Sequence, residues 1–394
     1  LERWLLNNKA NNKNKKSPKE MIRTMNKSMR GLGLSMASRV QAGAGFTSGP
    51  ARSASGLSLE DIALQPRGKG SGGRSSVSGF VATVFGATGF GGKYVVDALG
   101  KIGSVVVVPY RGTEWSYKHL KVLGDLGQIV PVQFDPCDPN SITSVISRSN
   151  VVINLIGKTW DTKNYSLNDS NNLIPQLIAA VAKEKQIKKL IHISALGASP
   201  DSPSEWARTK YAGEEGVREV FPEATIIRPS TLYGYDDRLL YAWSTLTRYW
   251  PFIPDLGSDF MDRRIAPVYV GDFAAAILET LRNPDCDGRT FELGGGELTN
   301  RELVEWVRTN LHFDHKKILP VPSPVIKAVA TFSEYTQRKP RFTVDELEFY
   351  GSTDVVPSGK LPGFDALNIL PKDIRSNALP FIRHFRLPVF HNMD

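Results

Sequence analysis

The chain has 394 residues, of which 41% are hydrophobic and 23% are charged, a composition that is ordinary for a globular protein with a sizeable core. The net charge of +9 belongs to one end, because residues 1–75 carry 14 Lys and Arg against 4 Asp and Glu, whereas the rest carries 35 against 36. The remainder of the chain is therefore nearly neutral, which argues against a nucleic-acid-binding groove on the folded part. No apolar run reaches the 18 or so residues of a membrane helix. The two cysteines fit no metal-ligand spacing.

Residues 1–76 predict a basic N-terminal extension. They are rich in Lys, Arg, Ser, Gly and Asn and poor in acids, without a sustained apolar period. That composition is typical of a mitochondrial or plastid transit segment followed by a linker. Two interpretations stay open: a cleaved import signal, or an arm that is partly retained and wraps the surface of a partner.

A glycine-rich turn between a strand and a helix is the most informative stretch of the chain. The apolar run Phe80–Phe85 predicts a buried strand, and Lys93–Leu99 has a helical pattern. Between them lies the turn Gly86, Ala87, Thr88, Gly89, Phe90, Gly91 and Gly92. Glycines here allow a tight turn, a close approach of backbone to phosphate, and close packing of helix on strand, while the helix N-terminus directs free N–H groups at negative charge. We therefore expect the turn to hold the pyrophosphate of a dinucleotide.

Strands and helices alternate from Val77 onward, which predicts repeated βαβ units and a Rossmann-type, doubly wound parallel sheet in an α/β domain over residues 77–320. The predicted strands are Phe80–Phe85, Val105–Pro109, Ile129–Phe134, Val151–Ile156, Leu190–Ser194, Thr225–Arg228 and Thr290–Leu293, and Ile265–Val270 leads into a further helix. The predicted helices after the first are Trp115–Leu123, Ser141–Ile146, Leu173–Glu184, Ser204–Val220, Asp237–Tyr249, Asp272–Leu281 and Arg301–Leu311.

A smaller, mostly helical C-terminal part is expected over residues 321–394, with helices at Val325–Tyr335, Val344–Phe349 and Pro371–Phe385. The last pattern places Ile374, Ala378, Phe381, Ile382 and Phe385 on one side. We expect that face to pack on the domain. Its basic flanks leave open the alternative that it docks on a partner or on a membrane surface.

The ends of successive strands supply candidate coenzyme ligands. Arg111 follows the second strand where an NAD-binding site would carry an acid, and a guanidinium there favours the 2′-phosphate of NADP(H). Asp135 follows the third strand, where it could meet the adenine amino group or cap the turn before Pro136. Gly157 ends the fourth strand, where the backbone must pass close to the nicotinamide ribose, and Asn154 is a weaker candidate beside it.

Two further residues mark the expected reacting centre. Ser194 ends the fifth strand, and Lys210 lies in the helix that follows it. With the glycine turn, Arg228-Pro229, Tyr233-Gly234 and Pro267–Asp272, they resemble the extended and atypical short-chain dehydrogenase/reductase superfamily. The phrases Gly73–Gly79, Val84–Gly89, Gly124–Gln128, Ser149–Gly157, Thr162–Asn164 and Phe221–Ala224 resemble one branch of it, the Rossmann-fold accessory subunits of mitochondrial respiratory complex I.

The resemblance implies roles for these residues. In active members a tyrosine four residues before the lysine is the general acid, the serine orients the substrate carbonyl, and the lysine binds the ribose and lowers the tyrosine's pKa. Here that position is Trp206, whose indole N–H exchanges no proton near neutral pH. Lys210 is therefore expected to hold the coenzyme ribose, with Ser194, Pro229 and Ser230 near the nicotinamide.

The branch implies a subunit that binds NADPH without turning it over and contacts other complex I subunits of the matrix arm near the membrane junction. It would lie on the matrix side of the mitochondrial inner membrane as a peripheral protein, with contact to lipid left open. Two alternatives remain from the residues. The first is a free-standing NADP-dependent reductase or epimerase that uses Tyr211 or Tyr233 as its acid. The second is a regulatory protein that senses the NADP(H) ratio.

Overall fold

The computed structural model describes residues 77–162, 164–337, 340 and 343–387, so the predictions for residues 1–76 lie outside the described residues. The α/β prediction is confirmed. The strands are β1 (Val81–Phe85), β2 (Val105–Tyr110), β3 (Ile129–Gln133), β4 (Val151–Asn154), β5 (Lys189–Ile193), β6 (Thr225–Pro229), β7 (Leu232–Tyr233), β8 (Ile253–Asp255), β9 (Arg264–Ile265), β10 (Val268–Tyr269), β11 (Thr290–Leu293), β12 (Leu298–Thr299) and β13 (Ile318–Pro320).

The α-helices lie between and after these strands. They are α1 (Phe90–Lys101), α2 (Pro139–Ile146), α3 (Ile174–Glu184), α4 (Glu205–Val220), α5 (Leu239–Tyr249), α6 (Ser258–Met261), α7 (Val270–Arg282), α8 (Asn300–Asn310), α9 (Ser323–Thr336), α10 (Val344–Ser352), α11 (Ile374–Asn377) and α12 (Leu379–Ile382). A π-helical turn, Asp169–Leu173, leads into α3. The boundary predicted after residue 320 falls between β13 and α9.

Seven strands form one parallel sheet in the order β11-β6-β5-β4-β1-β2-β3. The order reverses beside β1, which pairs with β2 on one edge and with β4 on the other. In an open α/β sheet the crevice at such a reversal, outside the carboxyl ends of the strands, is where ligands bind. Gly86 and Leu155 follow the paired ends of β1 and β4 at that place.

Two apolar cores stabilise the described part of the chain. The first lies between the sheet and helices α1 and α7, and it buries Val84, Val96 and Phe273 completely. The second surrounds Trp243 of α5 and includes buried side chains from the C-terminal segment, which we define as residues 343–387: Phe349, Ile374, Ala378, Ile382 and Phe385. The face predicted to pack is therefore packed.

Some predicted elements differ from the structure. The single helix expected over Pro371–Phe385 is wrong: α11, α12 and a 3₁₀ turn, Arg383–Phe385, replace it. Pro380 has no N–H to continue a helix from α11, which ends the hydrogen-bond ladder there. Trp115–Leu123 forms two 3₁₀ segments, and Ile265–Val270 divides into β9 and β10, which pair with different partners. No helix within the described ranges has the length and apolar character needed to cross a bilayer.

Candidate coenzyme site

The glycine turn follows β1 directly and begins with a backbone conformation that favours glycine. Gly86 has a φ of +80°, and its carbonyl accepts a hydrogen bond of 2.9 Å from the N–H of Gly89. Helix α1 then begins at Phe90, with Gly89 as an N-cap that offers no side chain. No acidic residue occupies the first turn of α1, so its N–H groups face the crevice without a carboxylate of their own helix to neutralise them.

Close approach explains two of these glycines. A Cβ on Gly86 would lie 2.9 Å from the backbone of Leu155, and one on Gly92 would lie 2.3 Å from the carbonyl oxygen of Gly86. A Cβ on Gly91 would make only an ordinary contact, 3.4 Å from the ring of Phe273. Gly92 thus permits the close packing of helix on turn that the sequence predicts. The turn presents Thr88 and Gly89 at the surface and keeps Ala87 buried.

A cleft runs from this turn to the end of β2, and we call it the coenzyme cleft. It consists of two adjoining cavities of about 410 and 540 Å³. Gly86 and Thr88 line the first, Asp135 lines the second, and Arg111 and Tyr165 line both. The structure therefore brings the glycine turn, Arg111 and Asp135 to a single cleft, as a bound dinucleotide would require.

Asp135 adopts the turn-capping arrangement that the sequence left open. Its Oδ1 accepts a hydrogen bond of 3.0 Å from the N–H of Cys137. The same carboxylate lines the cavity beside Arg111. Its contact with adenine stays a prediction.

Gly157 and Lys210 lie against each other, and neither is among the residues that line the two cavities of the coenzyme cleft. A Cβ on Gly157 would lie 2.7 Å from the Nζ of Lys210, so the absence of a side chain at residue 157 admits the ammonium group. Nζ also donates a hydrogen bond of 3.4 Å to the carbonyl of Ile193. Burial lowers the pKa of Lys210 to about 8, and the nearby Glu214 carboxylate opposes the shift. An ammonium held against an exposed glycine suits a ribose hydroxyl as its acceptor.

Asn154 serves the architecture of the site. Its amide Nδ2 lies 3.2 Å from the Nδ1 of His192 on the neighbouring strand, and its Oδ1 accepts from the N–H of Ile156. Burial lowers the pKa of His192 to about 3, and the charge of Lys210 adds to the effect. This pair fixes the ends of β4 and β5 beneath the site.

A buried ion network joins helix α4 to the central sheet. The Nε of Arg228 donates to both carboxylate oxygens of Glu214 at 3.0 and 3.1 Å, and its Nη2 donates to Oε2 at 2.6 Å. Glu292 lies 3.7 Å from the same guanidinium and accepts two hydrogen bonds of 2.7 Å from Ser358. The network ties α4, which carries Trp206 and Lys210, to β6 and β11.

A second cavity of about 310 Å³, which we call the reaction cavity, lies at the carboxyl ends of β5 and β6. Ser194, Trp206, Pro229 and Ser230 all line it, whereas Lys210, which the sequence places at the same centre, is not among its lining residues. The Oγ of Ser194 and the Nε1 of Trp206 are buried without a hydrogen-bond partner in the described part of the chain. Ser230 donates its hydroxyl to the carbonyl of Val355 at 3.1 Å.

Helix α10 closes the reaction cavity, which no local signal in the sequence indicates. Phe349 packs edge-on against Trp206 with ring centroids 5.0 Å apart. Asp345 caps α4 by accepting hydrogen bonds from the Ser204 hydroxyl at 2.7 Å and from the N–H groups of Glu205 at 2.7 Å and Trp206 at 3.1 Å. These contacts span about 140 residues. The indole is thus held as part of the wall.

Neither Tyr233 nor Tyr211 is among the residues that line the reaction cavity. Tyr233 is fully buried and donates its hydroxyl to the carbonyl of Lys372 at 3.0 Å, and burial raises its pKa well above the usual range. Tyr211 lies beside Lys210 on α4 and close enough to Arg228 to favour the charged guanidinium. Within the described ranges, no group of three or more His, Cys, Asp or Glu is arranged to hold a metal ion.

The fold and the glycine-lined cleft define a Rossmann protein of the dinucleotide-binding class. A family model described as "NAD dependent epimerase/dehydratase family" matches residues 82–294. Among solved structures, a nucleoside-diphosphate-sugar epimerase from Staphylococcus aureus superposes with a TM-score of 0.60 at 17% identity, covering 75% of this chain and 98% of its own, a likeness of fold.

Curated relatives define the branch. The chain is 42% identical over 328 residues to a protein of Arabidopsis thaliana named NADH dehydrogenase (ubiquinone) 1 alpha subcomplex subunit 9, mitochondrial, with 81% of each chain covered. It is 40% identical over 327 residues to the protein of that name from Mus musculus, with 82% of this chain and 85% of the relative covered. The chain belongs to this subunit 9 family, which confirms the resemblance inferred from the motifs.

Proposed function

We propose that the chain is an accessory subunit of mitochondrial complex I that binds NADPH and does not turn it over. In this role it supports assembly and stability of the matrix arm near the quinone-site junction, as a peripheral protein on the matrix side of the inner membrane. Its partners are other complex I subunits of that arm. The names of its relatives support the assignment to the complex and to mitochondria.

One observation carries the non-catalytic part of the proposal. The coenzyme cradle is complete in its glycines and in Arg111, but Trp206 occupies the position of the general acid and is packed against Phe349. An indole N–H donates a hydrogen bond yet exchanges no proton near neutral pH. A site of this composition can hold a coenzyme while lacking the group that would complete carbonyl reduction.

Each candidate residue has a role in this proposal. The backbone of Gly86, Ala87, Thr88, Gly89, Phe90 and Gly91 holds the pyrophosphate, and Arg111 holds the 2′-phosphate. Asp135 meets the adenine, Gly157 and Lys210 hold the nicotinamide ribose, and Ser194, Pro229 and Ser230 lie near the nicotinamide. NADPH would supply hydride chemistry elsewhere, but here it acts as a structural ligand. A ligand bound only by the native state adds stability with the logarithm of its excess over Kd, about 2.7 kcal/mol at 100 times Kd.

Two measurements test the proposal. Nucleotide extracted from the purified protein, or from the intact complex, is expected to be NADP(H) in near-stoichiometric amount. Blue-native electrophoresis of mitochondrial membranes is expected to place all of the protein in a large assembly. Steady oxidation of NADPH with a carbonyl substrate, or migration as a small free species, would contradict the proposal and favour the reductase.

The coenzyme preference is tested by removing one guanidinium. Arg111→Ala is expected to weaken NADPH binding by about 10- to 100-fold, since a charge-assisted hydrogen bond contributes about 1.5–3 kcal/mol, and to leave NADH binding nearly unchanged. Arg148→Ala is the control, because this exposed arginine lies just after α2 and outside the residues that line the cleft. Equal losses for both coenzymes would contradict the assigned role of Arg111.

A further inference from the structure

The wall shared by the two cavities of the coenzyme cleft contains an aromatic residue that the coenzyme roles above leave unused. Tyr165 lines both cavities, and its ring faces Arg111, with the guanidinium carbon 5.2 Å from the ring centroid. Burial raises the pKa of the Tyr165 phenol, and both Arg111 and Asp135 lie near enough to influence it. Tyr165 is thus in contact with the residue that would meet a 2′-phosphate.

The loop that carries Tyr165 is fixed by its own hydrogen bonds. The N–H of Thr162 donates to the Tyr165 carbonyl at 2.9 Å, and the Thr162 hydroxyl donates to the same carbonyl at 3.0 Å. The Tyr165 N–H donates back to that hydroxyl at 3.2 Å. Just beyond, the N–H of Leu167 donates to Oδ1 of Asp161 at 2.6 Å. Four bonds across so few residues hold the Tyr165 backbone in one place.

Arg111 lacks comparable support from its own strand. It follows the last residue of β2, its side chain is exposed, and the next residue, Gly112, has a φ of +86° and no neighbour within 4 Å of an added Cβ. A long exposed arginine loses rotamer freedom when it grips a phosphate. A ring already in contact with the guanidinium reduces that loss, because the group is partly ordered before the ligand arrives.

We propose that Tyr165 is the positioning residue that aims Arg111 at the 2′-phosphate and thereby sets the preference for NADPH over NADH. The inference rests on the proposed function, because it deepens the coenzyme selectivity of the same cleft. Tyr165 acts through Arg111, so its effect is expected on ligands that carry the 2′-phosphate and not on those that lack it.

The test measures four ligands on the full chain by isothermal titration: NADPH, NADH, 2′,5′-ADP and 5′-AMP. Tyr165→Leu removes the ring, and Tyr165→Phe keeps the ring but removes the hydroxyl. Tyr165→Leu is expected to bind NADPH and 2′,5′-ADP about five- to tenfold more weakly, the range of a cation–π contact, with NADH and 5′-AMP changed less than twofold. Tyr165→Phe is expected to recover most of the loss. A double variant with Arg111→Ala is expected to lose no more than Arg111→Ala alone.

The outcomes separate this inference from the proposed function. If Tyr165→Leu weakens the binding of NADPH and NADH equally, or changes neither, the role of Tyr165 is overturned. In that case a wild-type protein that still prefers NADPH leaves the proposed function standing. A wild-type protein that binds NADH as tightly as NADPH would overturn both. Unfolding curves of each variant without ligand identify a variant that has lost its fold. If Tyr165→Leu has lost it, Tyr165→Gln takes its place as the variant without the ring. A full loss of the NADPH preference in Tyr165→Phe would contradict the role of the ring, because it would assign the effect to the hydroxyl.

Discussion

Replacing Gly92 with alanine tests the tight packing of the glycine turn on helix α1. The added Cβ would lie 2.3 Å from the carbonyl oxygen of Gly86 and 2.6 Å from the Cα of Ala87. Both are backbone atoms that cannot rotate away. A Cβ contact is essentially never shorter than 3.0 Å, so the turn and the helix must separate by at least about 0.7 Å, the difference between 3.0 and 2.3 Å.

Gly91→Ala is the matched control for this change. Its Cβ would lie 3.4 Å from the ring of Phe273 and 3.6 Å from Leu232, which are ordinary contacts. Both alanines gain about the same helix propensity, up to about 1 kcal/mol, because both positions lie in the first turn of α1. The difference between the two variants therefore isolates the steric overlap, for which overpacking costs about 1–3 kcal/mol.

The assay is thermal and urea unfolding of the two variants with and without NADPH. At this chain length 1 kcal/mol corresponds to about 2 °C in Tm, so Gly92→Ala is expected to melt about 2–6 °C below Gly91→Ala. The displaced turn is also expected to receive less than the full stabilisation from added NADPH. A Gly92→Ala protein as stable as Gly91→Ala would refute the reasoning, since the overlap would then not exist.

Three further changes have defined expectations. Arg228→Met leaves the fully buried Glu214 carboxylate without its partner, so it is expected to lower the free energy of unfolding, measured in urea, by about 3–5 kcal/mol. The control is Arg282→Met, which removes an exposed ion pair and is expected to change the free energy of unfolding by less than about 1 kcal/mol. Burial lowers the pKa of His192 to about 3 in the folded state, so the unfolded chain binds more protons than the folded chain below pH 6.5. The free energy of unfolding of the wild-type protein is therefore expected to fall as the pH drops from about 6.5 towards 4. An equal fall in His192→Gln would contradict the assignment of this effect to His192. Asp345→Ala removes three hydrogen bonds from the N-terminus of α4 and is expected to lower the free energy of unfolding by about 1–2 kcal/mol. Asp345→Asn is the comparison variant. No loss of stability in either variant would show that the cap contributes nothing.

The nucleotide-binding half of the fold was predictable from local patterns. The strand that ends at Phe85, the glycines after it and the helix that follows are adjacent in the sequence, so their chemistry is legible without knowledge of the rest. The parallel order of the central strands also follows from alternating strands and helices, because short connections force each crossover to the same hand. The strands β3 and β4 end at Gln133 and Asn154, one and two residues before the predicted ends.

The wall of the reaction cavity could not be predicted in the same way. Phe349 and Asp345 reach Trp206 and its helix across about 140 residues, and nothing in the local pattern of α10 distinguishes these side chains from ordinary helix-face residues. The guanidinium of Arg238 likewise bonds Glu346, at 2.8 Å, from another part of the chain. Tyr165 is not indicated by the sequence for a different reason: its loop has no periodicity, and the four hydrogen bonds that fix its backbone and the contact of its ring with Arg111 are evident only in the structure.

The capping of α4 by Asp345 has a consequence for the order in which the molecule matures. During synthesis or import, the helix that bears Trp206 and Lys210 emerges about 140 residues before the carboxylate that completes its first turn. Domains generally fold from their N-terminal part first. The Rossmann half can therefore collapse early, but the reaction cavity gains its final wall only when α10 arrives, so a nascent chain would pass through a stage in which this cavity is open.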